Sequence, residues 1–343
     1  MSQINTDFTH LVRMSDVVPR KLMWIWKPYI PLGKLTILRG DPGCGKTSFA
    51  LQLAAIYSRV DVFPGRTREQ NIEEGDTAVG GKVLFITAED DLDDSVYPRL
   101  VAAKADMDKV FSVKEGEKEG PFTFMDSVFE ELIEAANPTL VIVDPIQAFI
   151  GAGVDGHRAN EVRPVMSHLR RLARKYTCAI VLIEHLNKNS GGKPLYRGLG
   201  SIDTTAAVRS ILMLGSDENE PTQKGAVHIK SNVATLGPVV GFSITDKGFN
   251  WEPDSTITKE AIFGTVRADS DRGGQTSFDK ACEFLTEVLR EEARTIKDLH
   301  IMAEAYGISE ATLRRAKEKL KIVATRKGGV YHWELPGSMP ACS

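Results

Sequence analysis

Gly40-Asp41-Pro42-Gly43-Cys44-Gly45-Lys46-Thr47 decides how this chain folds. It fits G-x-x-x-x-G-K-[ST] and stands between an apolar run, Lys34 to Arg39 (KLTILR), and a segment of helical spacing from Lys46 to about Ser58. In a strand–loop–helix context the glycines let backbone N–H groups turn toward phosphates, and the helix N-terminus adds partial positive charge. Lys46 is expected to reach the β- and γ-phosphates, and the Thr47 hydroxyl to ligate Mg²⁺. Gly40, Asp41, Pro42, Gly43, Cys44 and Gly45 complete the cradle, with Cys44 read as a small filler.

Around this loop, short apolar runs alternate with amphipathic stretches. Lys82–Thr87 (KVLFIT), Leu140–Val143 and Ala179–Ile183 read as strands. Between the last two, Val162, Val165, Met166, Leu169, Leu172 and Ala173 fall on one helical face. The pattern predicts an α/β core with a mainly parallel sheet covered on both faces. Val208–Leu214, Ala226–Lys230 and Val239–Ile244 read as further strands in an antiparallel extension. Residues 1–34 form a lead-in whose Trp24 and Trp26 are expected to pack on the body of the domain. The core is read as 35–264, a polar linker as 265–277, a second unit as 278–337 and a tail as 338–343.

The chain has 343 residues, 42% hydrophobic and 26% charged, which excludes wholesale disorder. With 43 basic and 46 acidic residues the net charge is −3, so a uniformly basic coat is excluded but a local basic patch is not. Cys44, Cys178, Cys282 and Cys342 have no metal-site spacing, and a reducing cytoplasm fits them. No apolar run reaches membrane-spanning length, and the first residues lack the apolar segment of a secretory signal.

Leu140-Val141-Ile142-Val143-Asp144 is an apolar strand ending in a carboxylate, the Walker B pattern, which places Asp144 by the magnesium shell. Pro145 follows, so a water-activating base must come from elsewhere. Thr87-Ala88-Glu89-Asp90-Asp91 ends another strand, and carboxyl ends of parallel strands converge on one crevice. Glu89 is the first candidate base and Asp90 the alternative; capping of the next helix is compatible with either.

The order GDPGCGKT, ITAED, LVIVDP, VLIEHLNK resembles the RecA-like ATPases, and more narrowly the RepA and DnaB type of hexameric helicases, over roughly residues 20–250. That resemblance implies Glu89 as base, Asp144 as Mg²⁺ ligand and His185 as a γ-phosphate sensor supported by Asn187. It implies that Lys188 and Lys193, before the segment Tyr196–Ser201, meet single-stranded DNA in a channel. It also implies a residue acting across a subunit interface. Lys230-Ser231-Asn232 retains the lysine of a Lys-x-Arg pattern but has asparagine where the arginine belongs. Arg209 is the other candidate finger, with a structural ion pair as its bland reading.

Residues 278–336 read helix, helix, turn, helix, hairpin, the order of a winged helix. Residues 311–327 carry seven basic residues against one acid, Glu318. Arg314, Arg315 and Lys319 on the third helix, with Arg326 and Lys327 at the wing, are candidate nucleic-acid contacts; a protein-docking unit with a solvated basic face is the alternative. The expectation is a Mg²⁺- and ATP-dependent motor on DNA, a replicative or mobile-element helicase assembled as a hexamer and without membrane association. The alternatives are a nucleotide-switched DNA-binding regulator and a RecA-like recombination or repair ATPase.

Overall fold

The computed structural model describes residues 12–67, 70, 80–114, 122–151, 159–185, 202–217, 220–263, 277–290, 293–306 and 308–336. The expected segments Asn187–Pro194 and Tyr196–Ser201, with Lys188 and Lys193, lie outside them, as do most of the 265–277 linker and the tail.

A small hairpin, β1 (Trp24–Trp26) and β2 (Ile30–Pro31), precedes β3 (Leu35–Gly40) and α1 (Lys46–Ser58). Then follow β4 (Val83–Thr87), α2 (Tyr97–Ala102), β5 (Val110–Phe111), α3 (Ser127–Ala136) and β6 (Leu140–Asp144). The core continues through α4 (Ala159–Lys175), β7 (Ala179–His185), α5 (Ile202–Ala207) and β8 (Ser210–Ser216). It closes with β9 (Gln223–Ser231), β10 (Val240–Thr245), β11 (Gly248–Glu252) and α6 (Lys259–Phe263).

These strands form one sheet in the order β11-β10-β9-β8-β3-β7-β6-β4-β5. Every pairing from β8 to β5 is parallel, and β9, β10 and β11 add antiparallel to the β8 edge. The expected extension is therefore present, except that its first run joins β3 in parallel. A mixed α/β fold on a large, mainly parallel sheet is that of a RecA-like P-loop core.

The strands are apolar on both faces because both are covered. Leu38, Val83, Phe85, Leu140, Ile142, Val181 and Ile183 point toward α1 and α2. Their neighbours Ile37, Leu84, Ile86, Val141, Val143, Ile180 and Leu182 point toward α3 and α4. This period-2 alternation makes two cores from one set of strands. Trp24 and Trp26 are buried, as expected. Trp26 stacks on Phe63 at 5.2 Å, and Phe49 of α1 meets Phe242 and Trp251. Burying a Phe49-sized side chain contributes roughly 1.5–3 kcal/mol, and such contacts bind α1, the helix that begins at Lys46, to the sheet.

Residues 277–336 form α7 (Ser277–Val288), β12 (Arg294–Thr295), α8 (Ile296–Ala305), α9 (Glu310–Lys319), β13 (Val323–Lys327) and β14 (Val330–Glu334). The expected helix–helix–helix–hairpin order is there, with one strand, β12, that the sequence did not signal. Three strands pair in the order β12-β14-β13. Thr295 and Ser309 cap α8 and α9 by accepting from the backbone N–H groups of Asp298 and Thr312. Leu313 and Ala316 turn inward to a core with Leu285, Leu299 and Trp333. Arg163 of α4 meets Asp298 of α8 at 3.3 Å, joining this unit to the large-sheet core.

Candidate active site

Strand register assembles the site. Gly40 at the end of β3 lies opposite His185 at the end of β7, and Thr87 of β4 opposite Asp144 of β6. Because β7 runs between β3 and β6, His185 ends the strand between those that carry the phosphate loop and Asp144. All four positions are at carboxyl ends of parallel strands, where the sheet opens into a crevice.

The loop is held by its backbone. Gly43 and Gly45 have φ of 78° and 91°, which other residues rarely adopt. A Cβ on Gly40 would sit 2.6 Å from the Leu214 carbonyl oxygen, so β3 and β8 close under the loop only without one. Lys46 is buried, and its Nζ donates to the carbonyl oxygens of Gly40 (2.9 Å) and Asp41 (3.0 Å). An ammonium fixed by its own loop is already aimed at the space that the loop surrounds. Cys44 is buried beneath, as a filler should be. Burial pushes its thiol pKa up, while Lys46 and Lys224 pull against that shift.

Thr47 Oγ1 donates to Asp144 Oδ2 at 2.6 Å. Asp144 is 2% exposed, and its second oxygen, Oδ1, has no hydrogen-bond partner. Burial raises the Asp144 pKa above the ordinary carboxylate range, and the Thr47 hydrogen bond only partly offsets it. His185 Nε2 lies 3.9 Å from Asp144 Oδ1 and 3.7 Å from Glu89 Oε2. Glu89, Asp144 and His185 bring their ligand atoms within 4.8 Å of one another. An unpartnered buried carboxylate oxygen beside a hydroxyl is a hard oxygen donor set and fits Mg²⁺.

Glu89 and Asp90 are held differently. Thr87 Oγ1 accepts from the backbone N–H of both, folding the strand end into a turn. The Asp90 carboxylate accepts from Ser95 Oγ (2.8 Å) and pairs with Arg99 (3.3 Å). Glu89 keeps an exposed carboxylate at the mouth of the crevice. Ala88 N–H donates to the Asp144 carbonyl, which sets Glu89 beside Asp144.

Arg209 and Lys230 lie at the other end of the sheet. Arg209 N–H donates to the Leu35 carbonyl at the start of β3, and its side chain is exposed. Lys230 Nζ donates to the Thr205 carbonyl at 2.6 Å. Burial, with Arg209 and Arg39 nearby, lowers its pKa to about 8. Arg314, Arg315, Lys319 and Arg326 are exposed on α9 and β13; the Arg315 guanidinium covers the Phe278 ring, and Arg326 covers Tyr331. The side chain of Lys327 lies outside the described residues.

A buried ion pair was not anticipated. Arg39 and Glu184, one residue before Gly40 and His185, form an ion pair with 3% and 7% exposure. Arg39 also donates to Thr205 Oγ1 of α5. The available signal was a charge at the loop end of each apolar run, since a charge buried there requires a partner.

Fold and site together define a RecA-like P-loop ATPase. A family model described as AAA domain matches residues 5–191, more than half of the chain, and the chain belongs to that family. Among curated proteins it is similar to "DNA repair protein RadA" of Streptococcus pneumoniae, 27% identical over 159 residues, covering 46% of this chain and 31% of that protein. It is also similar to the protein of the same name from Halalkalibacterium halodurans, 27% identical over 162 residues, covering 46% and 28%. The chain spans less than a third of the length of these relatives. Among the described residues no helix is long and apolar enough to cross a membrane.

Proposed function

We propose that the chain is an ATP-driven motor on DNA that hydrolyses ATP where two copies meet, the ATPase core being followed by a winged helix. The observation that carries the chemistry is the grouping of Thr47, Asp144, His185 and Glu89 within one crevice beside Lys46. Lys46 exchanges its loop carbonyls for the β- and γ-phosphates. Thr47 and Asp144 hold Mg²⁺, which when bound neutralises phosphate charge. Glu89 takes the proton from the attacking water, a role open to it because its carboxylate is not engaged as that of Asp90 is. His185 touches both carboxylates and sits one residue before 186–201, so it is placed to report the γ-phosphate to the proposed DNA contacts Lys188 and Lys193.

Arg209 is the better candidate for a finger reaching a neighbouring copy. Its side chain is exposed, whereas Lys230 is drawn inward onto Thr205. In the winged helix, Arg314, Arg315, Lys319, Arg326 and Lys327 are the proposed duplex contacts, with Leu313 and Ala316 facing the core as that reading requires. Helicase action in a hexameric ring is the leading form. The name of the relatives favours a second form, a DNA repair ATPase.

The test is ATP turnover with and without single-stranded DNA, over a range of protein concentrations, with light scattering on the same samples. Stimulation by DNA and a rate that rises with assembly are expected. A turnover number independent of assembly refutes the interfacial site. Unwinding of a forked duplex marks the helicase, strand exchange the repair form, and neither activity a nucleotide-switched regulator.

A further inference from the structure

At the end of the sheet away from the phosphate loop is a cleft of about 590 Å³. Lys34, Arg170, Arg171, Arg174, Lys175 and Arg209 line it together with Gly33, Leu35, Ser167 and Ala207. No acid is in that lining. Lys34 precedes Gly40 by six residues of extended chain, about 20 Å at 3.3 Å per residue, so this cleft is not the nucleotide crevice.

Part of its charge is already committed. Arg171 and Lys175 share Glu130 of α3, at 3.4 Å and 2.8 Å. Among the described residues Lys34, Arg170, Arg174 and Arg209 have no carboxylate partner. A chain of net charge −3 that gathers six cations around one cleft has concentrated them against self-repulsion.

The shape of the charge selects the ligand. Arg163, Arg170 and Arg174, with Ser167 between them, recur at three- and four-residue steps and share one face of α4. Arg163 is already paired with Asp298 of the C-terminal unit, so the uncommitted part of the stripe, Ser167 to Arg174, runs about 10 Å at 1.5 Å per residue and ends in the cleft. A stripe of that length suits a linear polyanion better than a compact one. Guanidinium groups suit phosphate, whose oxygens they bind in pairs.

We propose that the Lys34 and α4 side of this cleft, with the α4 stripe, binds the phosphate backbone of a nucleic acid strand, a third contact besides the 186–201 segment and the basic helix α9, Arg209 at the rim being left to the neighbouring copy. This shares with the proposed function the premise that the chain binds DNA.

The experiment uses the full chain and the double variant Arg170→Ala/Arg174→Ala. Both side chains are exposed on a helix, and alanine preserves helicity. Affinity for a fluorescein-labelled single-stranded oligonucleotide is measured by anisotropy across salt concentrations, with ATP turnover without DNA and light scattering as companions. Loss of two phosphate contacts is expected to flatten the log–log salt slope by about 1.4 and weaken binding several-fold, with DNA-free turnover and assembly unchanged. An unchanged slope and affinity overturns the cleft and leaves the general DNA reading intact. Failure of the unmodified chain to bind overturns both. Lost turnover or assembly with an unchanged slope assigns the cleft to a neighbouring copy or its nucleotide and overturns the nucleic-acid assignment.

Discussion

Replacing Glu89 by glutamine removes one negative charge and keeps the size of the side chain. The turn that carries it survives, because the Thr87 hydroxyl accepts from backbone N–H groups and not from this side chain. The side chain is 55% exposed and its side-chain contact is His185 at 3.7 Å, so stability changes little. What disappears is the proton acceptor. Loss of a positioned general base slows the chemical step by about 10²–10⁴-fold, or roughly 2.7–5.5 kcal/mol in activation free energy. Nucleotide affinity rests on the 40–47 loop and Lys46, and is expected to stay within about twofold. Asp90→Asn is the control. It loses the Ser95 and Arg99 contacts, and with Arg99 48% exposed that pair is worth at most about 1 kcal/mol. Phosphate release at saturating ATP, with a fluorescent nucleotide for affinity, separates the two. If Glu89→Gln retains turnover within tenfold while Asp90→Asn loses a hundredfold, the assignment of the base is wrong.

Lys46→Ala abolishes turnover, since Lys46 is the one basic residue in the sequence of the 40–47 loop; a variant that still releases phosphate contradicts the phosphate-loop reading. Gly45→Ala places a Cβ 2.4 Å from Ile244 Cδ1 at a φ of 91°, and is expected to lower the thermal midpoint and ATP affinity together; an unchanged midpoint removes the strain argument. Asp144→Asn removes a buried charge with an unpartnered oxygen, so it raises the thermal midpoint measured in EDTA and eliminates turnover measured with Mg²⁺; a lowered midpoint shows that the carboxylate is better satisfied than its geometry indicates. Lys230 has its pKa lowered to about 8 by burial, so the folded chain releases that proton before the unfolded chain does. Stability against urea therefore climbs as pH rises from about 8 toward the ordinary lysine range, and Lys230→Met flattens that climb; identical slopes would dismiss the buried ammonium.

Local signals were legible. The 40–47 pattern, Asp144, Glu89 and His185 each sit at the end of an apolar run, and strand ends converge without any need to know which strands are neighbours. The two-sided apolar character of the runs announced a covered parallel sheet. Contacts between distant residues were not legible. Nothing in Arg39 or Glu184 names the other, 145 residues away. The direction of the Lys230 side chain depends on α5, whose Thr205 carbonyl captures it. The cation cleft joins the start of β3, the end of α4 and the start of β8, three segments that only the strand order brings together. The strand β12 has two residues, too few for a period to register.

The Arg39–Glu184 pair answers a question that apolar strands pose for themselves. β3 and β7 are greasy on both faces, so their side chains distinguish poorly between neighbouring alignments. A slip of one residue would turn Glu184 to the opposite face and strand Arg39 alone, at about 3–5 kcal/mol. A slip of two would carry His185 about 6.6 Å past Gly40. The ion pair thus serves as a landmark during assembly of the sheet: the strands are marked one residue short of the crevice, and only one alignment brings His185 and the phosphate loop level.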